Sequence, residues 1–150
     1  MSIDYNMNVG AARLAVKNKR AEQPRILLVG GFNDLFLEAL TELKFDFALY
    51  KGSKAAKSAE FDVVVLSSDR ADQTFDYIQK FKAVPIVFKG TKGFYDYNPV
   101  KEFGNSFIYK QDSPWYMLQA VIRAAETYKF PYDWKTLRAE VADTAKYLNK

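Results

Sequence analysis

Short apolar runs alternate with segments of helical periodicity from Pro24 onward. The first run, ILLV at residues 26–29, has no polar residue at alternate positions, which is typical of a strand covered on both faces of a sheet. A second run, DVVVL at residues 62–66, is β-branched and predicts another central strand. The alternation of such strands with helices predicts a parallel sheet built from βαβ units.

Three further segments complete a set of five predicted strands. Residues 45–50 alternate less cleanly and predict a strand near the edge of the sheet. The other two strands are predicted at residues 85–88, where a proline at the strand start is tolerated, and at residues 106–109. Between them, residues 90–104 hold three glycines, one proline and four aromatic residues, so we expect at most one short helix, near residues 99–103.

Helical periodicity fills the spaces between the predicted strands. Asn33 or Asp34 can cap a first helix, because a short polar side chain accepts a hydrogen bond from the first turn. Ser113 followed by Pro114 is a favourable start for a later helix, with the serine as N-cap and the proline in the first turn. The remaining helix candidates are residues 53–59 and 72–82.

The trailing segment predicts an amphipathic helix over residues 133–148. Its apolar positions recur at helical steps and include Trp134, Leu137 and Val141. Such a stripe needs a surface to cover it, and two alternatives stay open: packing on its own domain, or self-association and docking on a partner. The predicted organisation is an N-terminal basic arm or helix (1–24), an α/β domain (25–128) and a C-terminal amphipathic helix packed on the domain or in a dimer (129–150).

Composition excludes several classes of site. The 150 residues suit one domain, and the absence of a long apolar run argues against a membrane span. Because the chain has neither Cys nor His, it cannot form a disulfide, a thiolate or imidazole metal site, or a nucleophile with a histidine base. Polar residues interrupt the apolar residues near the start, so we see no secretory signal and expect a cytoplasmic location.

The charge pattern argues against a nucleic-acid partner. The net charge is +4, from 22 basic and 18 acidic residues. Residues 1–25 hold five basic against two acidic groups, whereas residues 26–125 hold twelve of each sign. A nucleic-acid-binding protein usually concentrates positive charge on its folded face, and here the excess lies mainly in the leading arm.

The element order predicts a flavodoxin-like, doubly wound sheet of order 2-1-3-4-5, whose functional residues follow the carboxyl ends of the strands. At those positions residues 25–126 resemble the receiver domain of two-component response regulators. Phe107 and Lys110 stand where that family places its switch aromatic and its phosphate-contacting lysine. The helical segment after Lys110 matches the family's last helix in length and pattern.

The phosphorylation residues of a receiver are missing. Gly30 and Gly31 replace the acidic pair that holds Mg²⁺, Ser67 replaces the phosphorylated aspartate, and Lys89 or Gly90 replaces the Thr or Ser that contacts the phosphoryl group. Aspartyl phosphorylation needs a carboxylate nucleophile and a divalent cation, and that cation needs oxygen ligands. The resemblance therefore implies a degenerate receiver, or pseudo-receiver, without catalytic residues, bound metal or cofactor.

We expect a phosphorylation-independent regulatory module that binds proteins, and not an enzyme. Its partners would be other proteins or a second copy of this chain, with no membrane partner. The predicted interaction surface comprises Phe94, Tyr95, Tyr97, Phe103 and Trp115. If buried, the aromatic segment would instead close the edge of the sheet.

The alternative is a flavodoxin-like domain that binds a small anion, a nucleotide or another small molecule at the same carboxyl edge. Gly30 and Gly31 lie just before a predicted helix, and backbone N–H groups at such a turn can approach an anion. The turn lacks the glycine fingerprints of known nucleotide-binding loops. The sequence leaves this alternative open.

Overall fold

The structure is a computed structural model that describes residues 23–50 and 60–148. The strands are β1 (Arg25–Val29), β2 (Asp46–Leu49), β3 (Val63–Leu66), β4 (Val84–Phe88) and β5 (Phe107–Tyr109). The helices are α1 (Asp34–Glu42), α2 (Thr74–Phe81), α3 (Pro114–Tyr128) and α4 (Pro131–Leu148), with a 3₁₀ helix at Ser68–Gln73 before α2. The predicted arm up to residue 22 and the helix candidate at residues 53–59 lie outside the described residues.

The five strands form one parallel sheet in the order β2-β1-β3-β4-β5, which confirms the predicted flavodoxin-like fold. Leu28 of β1 pairs with Leu49 of β2 on one side and with Val65 of β3 on the other. All four residues of β3 are buried, as are the last four of β1, whereas β2 at the edge is only partly covered. The uniform apolar runs therefore identified the central strands correctly, because only a strand covered on both faces lacks polar alternation.

The helix starts follow the predicted caps. The side chain of Asn33 accepts a hydrogen bond from the Leu35 N–H at 2.7 Å, and the Ser113 hydroxyl oxygen accepts one from the Tyr116 N–H at 3.3 Å. Two details differ from prediction. The helix expected over 72–82 begins as the 3₁₀ turn and becomes α-helical only at Thr74, and residues 99–103 form a tight turn rather than a short helix.

The helices cover both faces of the sheet. The chain moves in one direction along the sheet from β1 to β2 and in the opposite direction from β3 to β4, so right-handed crossovers place α1 and α2 on opposite faces. Helix α3 packs on α1, and α4 packs on α2 and β4. None of the helices within 23–50 and 60–148 is long and apolar enough to cross a membrane.

The C-terminal helix α4 packs on its own domain. Leu137 is fully buried, and Trp134 and Val141 are each 3% exposed. The Trp134 ring also makes an edge contact with the Tyr128 ring, with centroids 5.1 Å apart. Self-association or docking through these three side chains is therefore wrong for this conformation, because the apolar stripe is already covered by α2, α3 and β4.

Candidate functional site

The predicted site residues meet at the carboxyl edge of the sheet. Gly30 follows β1, Ser67 follows β3, Lys89 follows β4 and Lys110 follows β5. Parallel strands end on the same side, so the topology alone brings these four positions to one edge. The Ser67 N–H donates to the Val29 carbonyl at 3.0 Å, which joins the ends of the two central strands.

Ser67 lies at the carboxyl end of β3, where the sequence predicts a degenerate phosphorylation site. The residue is 5% exposed, and its hydroxyl donates to Asp69 Oδ1 at 2.6 Å. This hydrogen bond is the main cause that lowers the pKa of Asp69, with a smaller contribution from Arg70. A carboxylate of lowered pKa is a weak proton acceptor, so Asp69 orients the Ser67 hydroxyl without activating it as a nucleophile.

Gly30 leaves no space for an acidic side chain. Its φ is +115°, a conformation that L side chains rarely adopt. A Cβ at Gly30 would lie 1.8 Å from Ser67 Oγ and 2.9 Å from Ser67 Cβ. The next residue, Gly31, has open space around its Cβ position. The turn after β1 therefore fits closely around Ser67, which occupies the volume that a carboxylate at Gly30 would need.

Tyr109 completes this packing, and the sequence analysis did not single it out. Its hydroxyl donates to the Leu66 carbonyl at 2.7 Å, and the residue is 1% exposed. The predicted switch aromatic, Phe107, lies instead beneath Tyr97 and the Arg123 guanidinium, which is 5.2 Å from its ring centroid. The strand alternation could have indicated Tyr109, since residues 107 and 109 share one face and only Tyr109 carries a polar tip next to Lys110.

The two predicted lysines are exposed, and carboxylates share their edge of the sheet. Lys89 and Lys110 both lie on the surface. The Ser68 hydroxyl donates to Asp112 Oδ2 at 2.6 Å and so connects the loops that follow β3 and β5. Within the described ranges, no group of three or more acidic side chains is placed to hold a metal ion. The edge is thus of mixed charge and does not form a cationic cradle.

A cleft of about 180 Å³ lies beside this edge, between the loops that follow β1 and β5. Its walls include Gly31, Asn33, Asp112 and Ser113. Small-molecule sites usually enclose about 300–1,000 Å³ and are mainly apolar. The cleft is smaller, and Asp112 would repel an anion there, so its geometry gives no support to nucleotide binding.

The aromatic hairpin, residues 94–106, divides between core and surface. Phe94 and Tyr97 are 5% and 2% exposed, so they belong to the core and are not available to a partner as predicted. Tyr95 and Phe103 are 58% and 54% exposed, with ring centroids 5.8 Å apart, and Val100 at the tip is 90% exposed. The hairpin therefore has both expected roles, because it closes the sheet edge with one set of side chains and presents the other set to solvent.

Polar contacts fix the aromatic hairpin to the domain. Asp96 forms an ion pair with Arg123 of α3, with two N–O contacts of 3.0 and 2.9 Å, and accepts a hydrogen bond from the Ile108 N–H of β5. The Asn105 amide donates to the Thr144 hydroxyl of α4 at 2.6 Å. These contacts satisfy part of the open edge of β5, which would otherwise offer unpaired backbone groups. The exposed rings of Tyr95 and Phe103 therefore belong to a segment whose backbone is fixed to the domain.

Trp115 is the last residue of the predicted interaction surface. It lies in the first turn of α3, next to the carboxyl edge, and is 58% exposed. Together with Tyr95 and Phe103, it makes three of the five predicted surface aromatics accessible.

A scan against protein-family models gives no match, and a search of curated proteins gives none either. At this edge of the described part of the chain, a buried serine that donates to a carboxylate lies beside a glycine with no room for a side chain.

Stability should fall at alkaline pH because Tyr97 and Tyr109 are buried as neutral phenols. Burial, followed by Asp133, raises the pKa of Tyr97 to about 12, and burial also raises the pKa of Tyr109. Above pH about 10 the unfolded chain loses these protons first, so the free energy of unfolding decreases by about 1.4 kcal/mol per pH unit for each tyrosine. Urea unfolding at several pH values above about 9 measures this slope in the wild type and in Tyr109→Phe, which should show a smaller one. An identical slope in both proteins would contradict a buried, neutral Tyr109.

Proposed function

We propose that this chain is a phosphorylation-independent, receiver-like regulatory module that acts by binding another protein, and that it is not an enzyme. The observation that carries the proposal is the packing of Ser67 against Gly30, where an added Cβ would lie 1.8 Å from Ser67 Oγ. This contact leaves no room at Gly30 for the carboxylate with which a receiver would help to hold its metal ion. Regulation by phosphoryl transfer to this site would need the turn after β1 to open.

Protein binding is supported by the exposed part of the aromatic hairpin. Tyr95, Val100 and Phe103 form an apolar surface on a segment that Asp96 and Asn105 fasten to two helices. Aromatic side chains contribute much of the energy at protein interfaces, since they bury a large area and lose little conformational entropy. A partner that covers Tyr95 and Phe103 would bind to a segment that is already fixed to the domain. This lowers the conformational entropy lost on binding.

The phosphoryl half of the proposal is tested with a small phosphodonor. The purified chain is incubated with acetyl phosphate and Mg²⁺, and intact-mass spectrometry with and without hydroxylamine records any acyl phosphate. We expect no adduct. A stoichiometric, hydroxylamine-labile adduct would overturn the proposal, because it would show that a carboxylate at this edge still accepts the phosphoryl group.

The binding half is tested by crosslinking in cells that express the chain. A photo-crosslinking amino acid at Val100, the most exposed apolar residue of the hairpin, should capture a defined protein. The variant Tyr95→Ser/Phe103→Ser should weaken binding to the captured protein by at least about tenfold, which corresponds to about 1.4 kcal/mol. Leu49→Ser, on the opposite edge strand, is the matched control and should bind as the wild type does. Equal binding by all three proteins would refute the surface.

A further inference from the structure

A groove of about 790 Å³ runs between α2 and α4, on the face opposite α1. Its polar walls are basic, and no acidic side chain is among the described residues that line it. Its apolar lining combines three alanines with two buried side chains. The basic groove is lined by Lys82, Lys135, Arg138 and Lys146, with Ala139, Ala142, Ala145, Ile78 and Val141 as its apolar lining.

The helical repeat places the groove residues of α4 on one face. Residues 135, 139, 142 and 146 follow one another at steps of three or four, so they form a continuous strip along the helix. The Gln79 amide of α2 donates to the Ala145 carbonyl at 3.2 Å and fixes one end of the groove. From Lys135 to Lys146 the strip is about 16 Å long, at a rise of 1.5 Å per residue.

Helix α1 carries the complementary surface. Asp34, Glu38 and Glu42 follow at steps of four and are all exposed, and the helix has no basic residue. Leu35 beside this acidic stripe is 49% exposed and so adds an accessible apolar side chain to it. The acidic stripe spans about 12 Å, so it fits within the length of the groove.

We propose that α1 of one copy docks, by its acidic stripe, into the basic groove of a second copy. Three carboxylates would face four cations, and Leu35 would pack on the apolar lining of the groove. The segments of this chain outside the described residues carry the wrong charge for the groove. Residues 1–22 hold four basic and two acidic groups, and residues 51–59 hold three lysines and no acidic group.

The two surfaces lie on opposite faces of the sheet, so the contact is head-to-tail. After two copies have paired, one keeps a free groove and the other a free stripe, so association extends to a ring or a linear array rather than stopping at a symmetric dimer. Because the contact sets three carboxylates against four cations, added salt weakens it. The inference does not rest on the proposed function, since the aromatic hairpin is not part of either surface.

The experiment is sedimentation velocity of the purified chain over a range of concentrations, at low and high salt. The wild type should associate at low salt, and about 0.5 M NaCl should weaken the association. Glu38→Lys/Glu42→Lys and Lys135→Glu/Arg138→Glu should each raise the dissociation constant at least about tenfold. An equimolar mixture of the two variants should associate again, because each supplies the surface that complements the other.

Lys89→Glu/Lys110→Glu is the matched control. It changes the net charge by the same amount as the groove variant, but at the carboxyl edge, and should associate as the wild type does. Circular dichroism establishes that each variant is folded. If the charge reversal in the groove variant prevents folding, Lys135→Gln/Arg138→Gln replaces that variant and should also weaken association. A wild type that stays monomeric at low salt, equal association by wild type and groove variant, or a mixture of folded variants that does not associate would each overturn the proposal.

Discussion

Gly30→Ala is expected to destabilise the chain by about 3 kcal/mol, because two separate penalties act at this residue. The first is the backbone conformation, since φ is +115° and a side chain there is strained by about 1–3 kcal/mol. The second is overlap, since the new Cβ would lie 1.8 Å from Ser67 Oγ, and Ser67 is too short and too buried to move aside. Overpacking of this kind typically adds about 1–3 kcal/mol.

Gly31→Ala is the matched control for that experiment. The neighbouring glycine has no positive φ and no atom within 4 Å of its Cβ position, so its replacement should change the free energy of unfolding by less than about 0.5 kcal/mol. Urea unfolding measures both variants. In the double variant Gly30→Ala/Ser67→Gly the overlap with the Ser67 side chain disappears, while the backbone strain at residue 30 stays. We therefore expect the effects of the two substitutions on the free energy of unfolding to be non-additive by about 1–2 kcal/mol. A Gly30→Ala protein as stable as the wild type would show that the turn is not packed on Ser67.

Leu137→Ala should cost about 2–5 kcal/mol of stability, because Leu137 is fully buried beneath α4. Removing most of a buried leucine side chain loses its transfer free energy and leaves a cavity that the closely packed surroundings fill only in part. The measurement is urea unfolding at a concentration and salt at which the chain is monomeric. Stability that does not depend on protein concentration shows that α4 is covered by its own domain.

Asp143→Ala, on the exposed side of the same helix, is the control for Leu137→Ala. It keeps α4 intact and touches no core residue, so its effect should stay within about 0.5 kcal/mol. A destabilisation of the monomer by Leu137→Ala no larger than that of the control would mean that α4 leaves the domain in solution. The apolar stripe would then be free for a partner.

The parts of the fold that were predicted from sequence are those set by local patterns. Residues 26–29 and 63–66 read as central strands because burial on both faces removes polar residues from the entire run. Asn33 and Ser113 marked the helix starts, since a cap is a local interaction between a side chain and the next turn. The strand order was predicted from the flavodoxin-like pattern of alternating strands and helices, and the structure confirms it.

The surfaces were less predictable because they depend on contacts between distant segments. The aromatic pattern of residues 94–103 is the same whether a ring is buried or exposed, and the contacts that fix the segment, such as that of Asp96 with Arg123 of α3, join residues far apart in the sequence. The basic groove combines Lys82 with residues of α4 that lie more than fifty positions away. Tyr109 shares a strand face with Phe107, but its hydrogen-bond partner is a backbone carbonyl, which the sequence does not identify.

At the candidate site, the sequence indicated which residues stand at the strand ends, and the structure adds how two of them pack. Gly30 follows β1 and Ser67 follows β3. Their contact shows that they depend on each other, since Ser67 in its observed position requires a glycine opposite. An acidic residue introduced at Gly30 alone is therefore expected to disturb the turn.

The position of α4 has a consequence for biosynthesis. A ribosome makes the chain from its amino end, and residues 131–148 cover a face of the sheet built from strands that were made earlier. Until α4 has emerged, the apolar side chains of α2 and β4 that it covers stay accessible to chaperones and to other nascent chains. Folding of this domain is thus completed only after α4 has been translated. A stalled chain that ends before Pro131 would be a substrate for quality-control proteases.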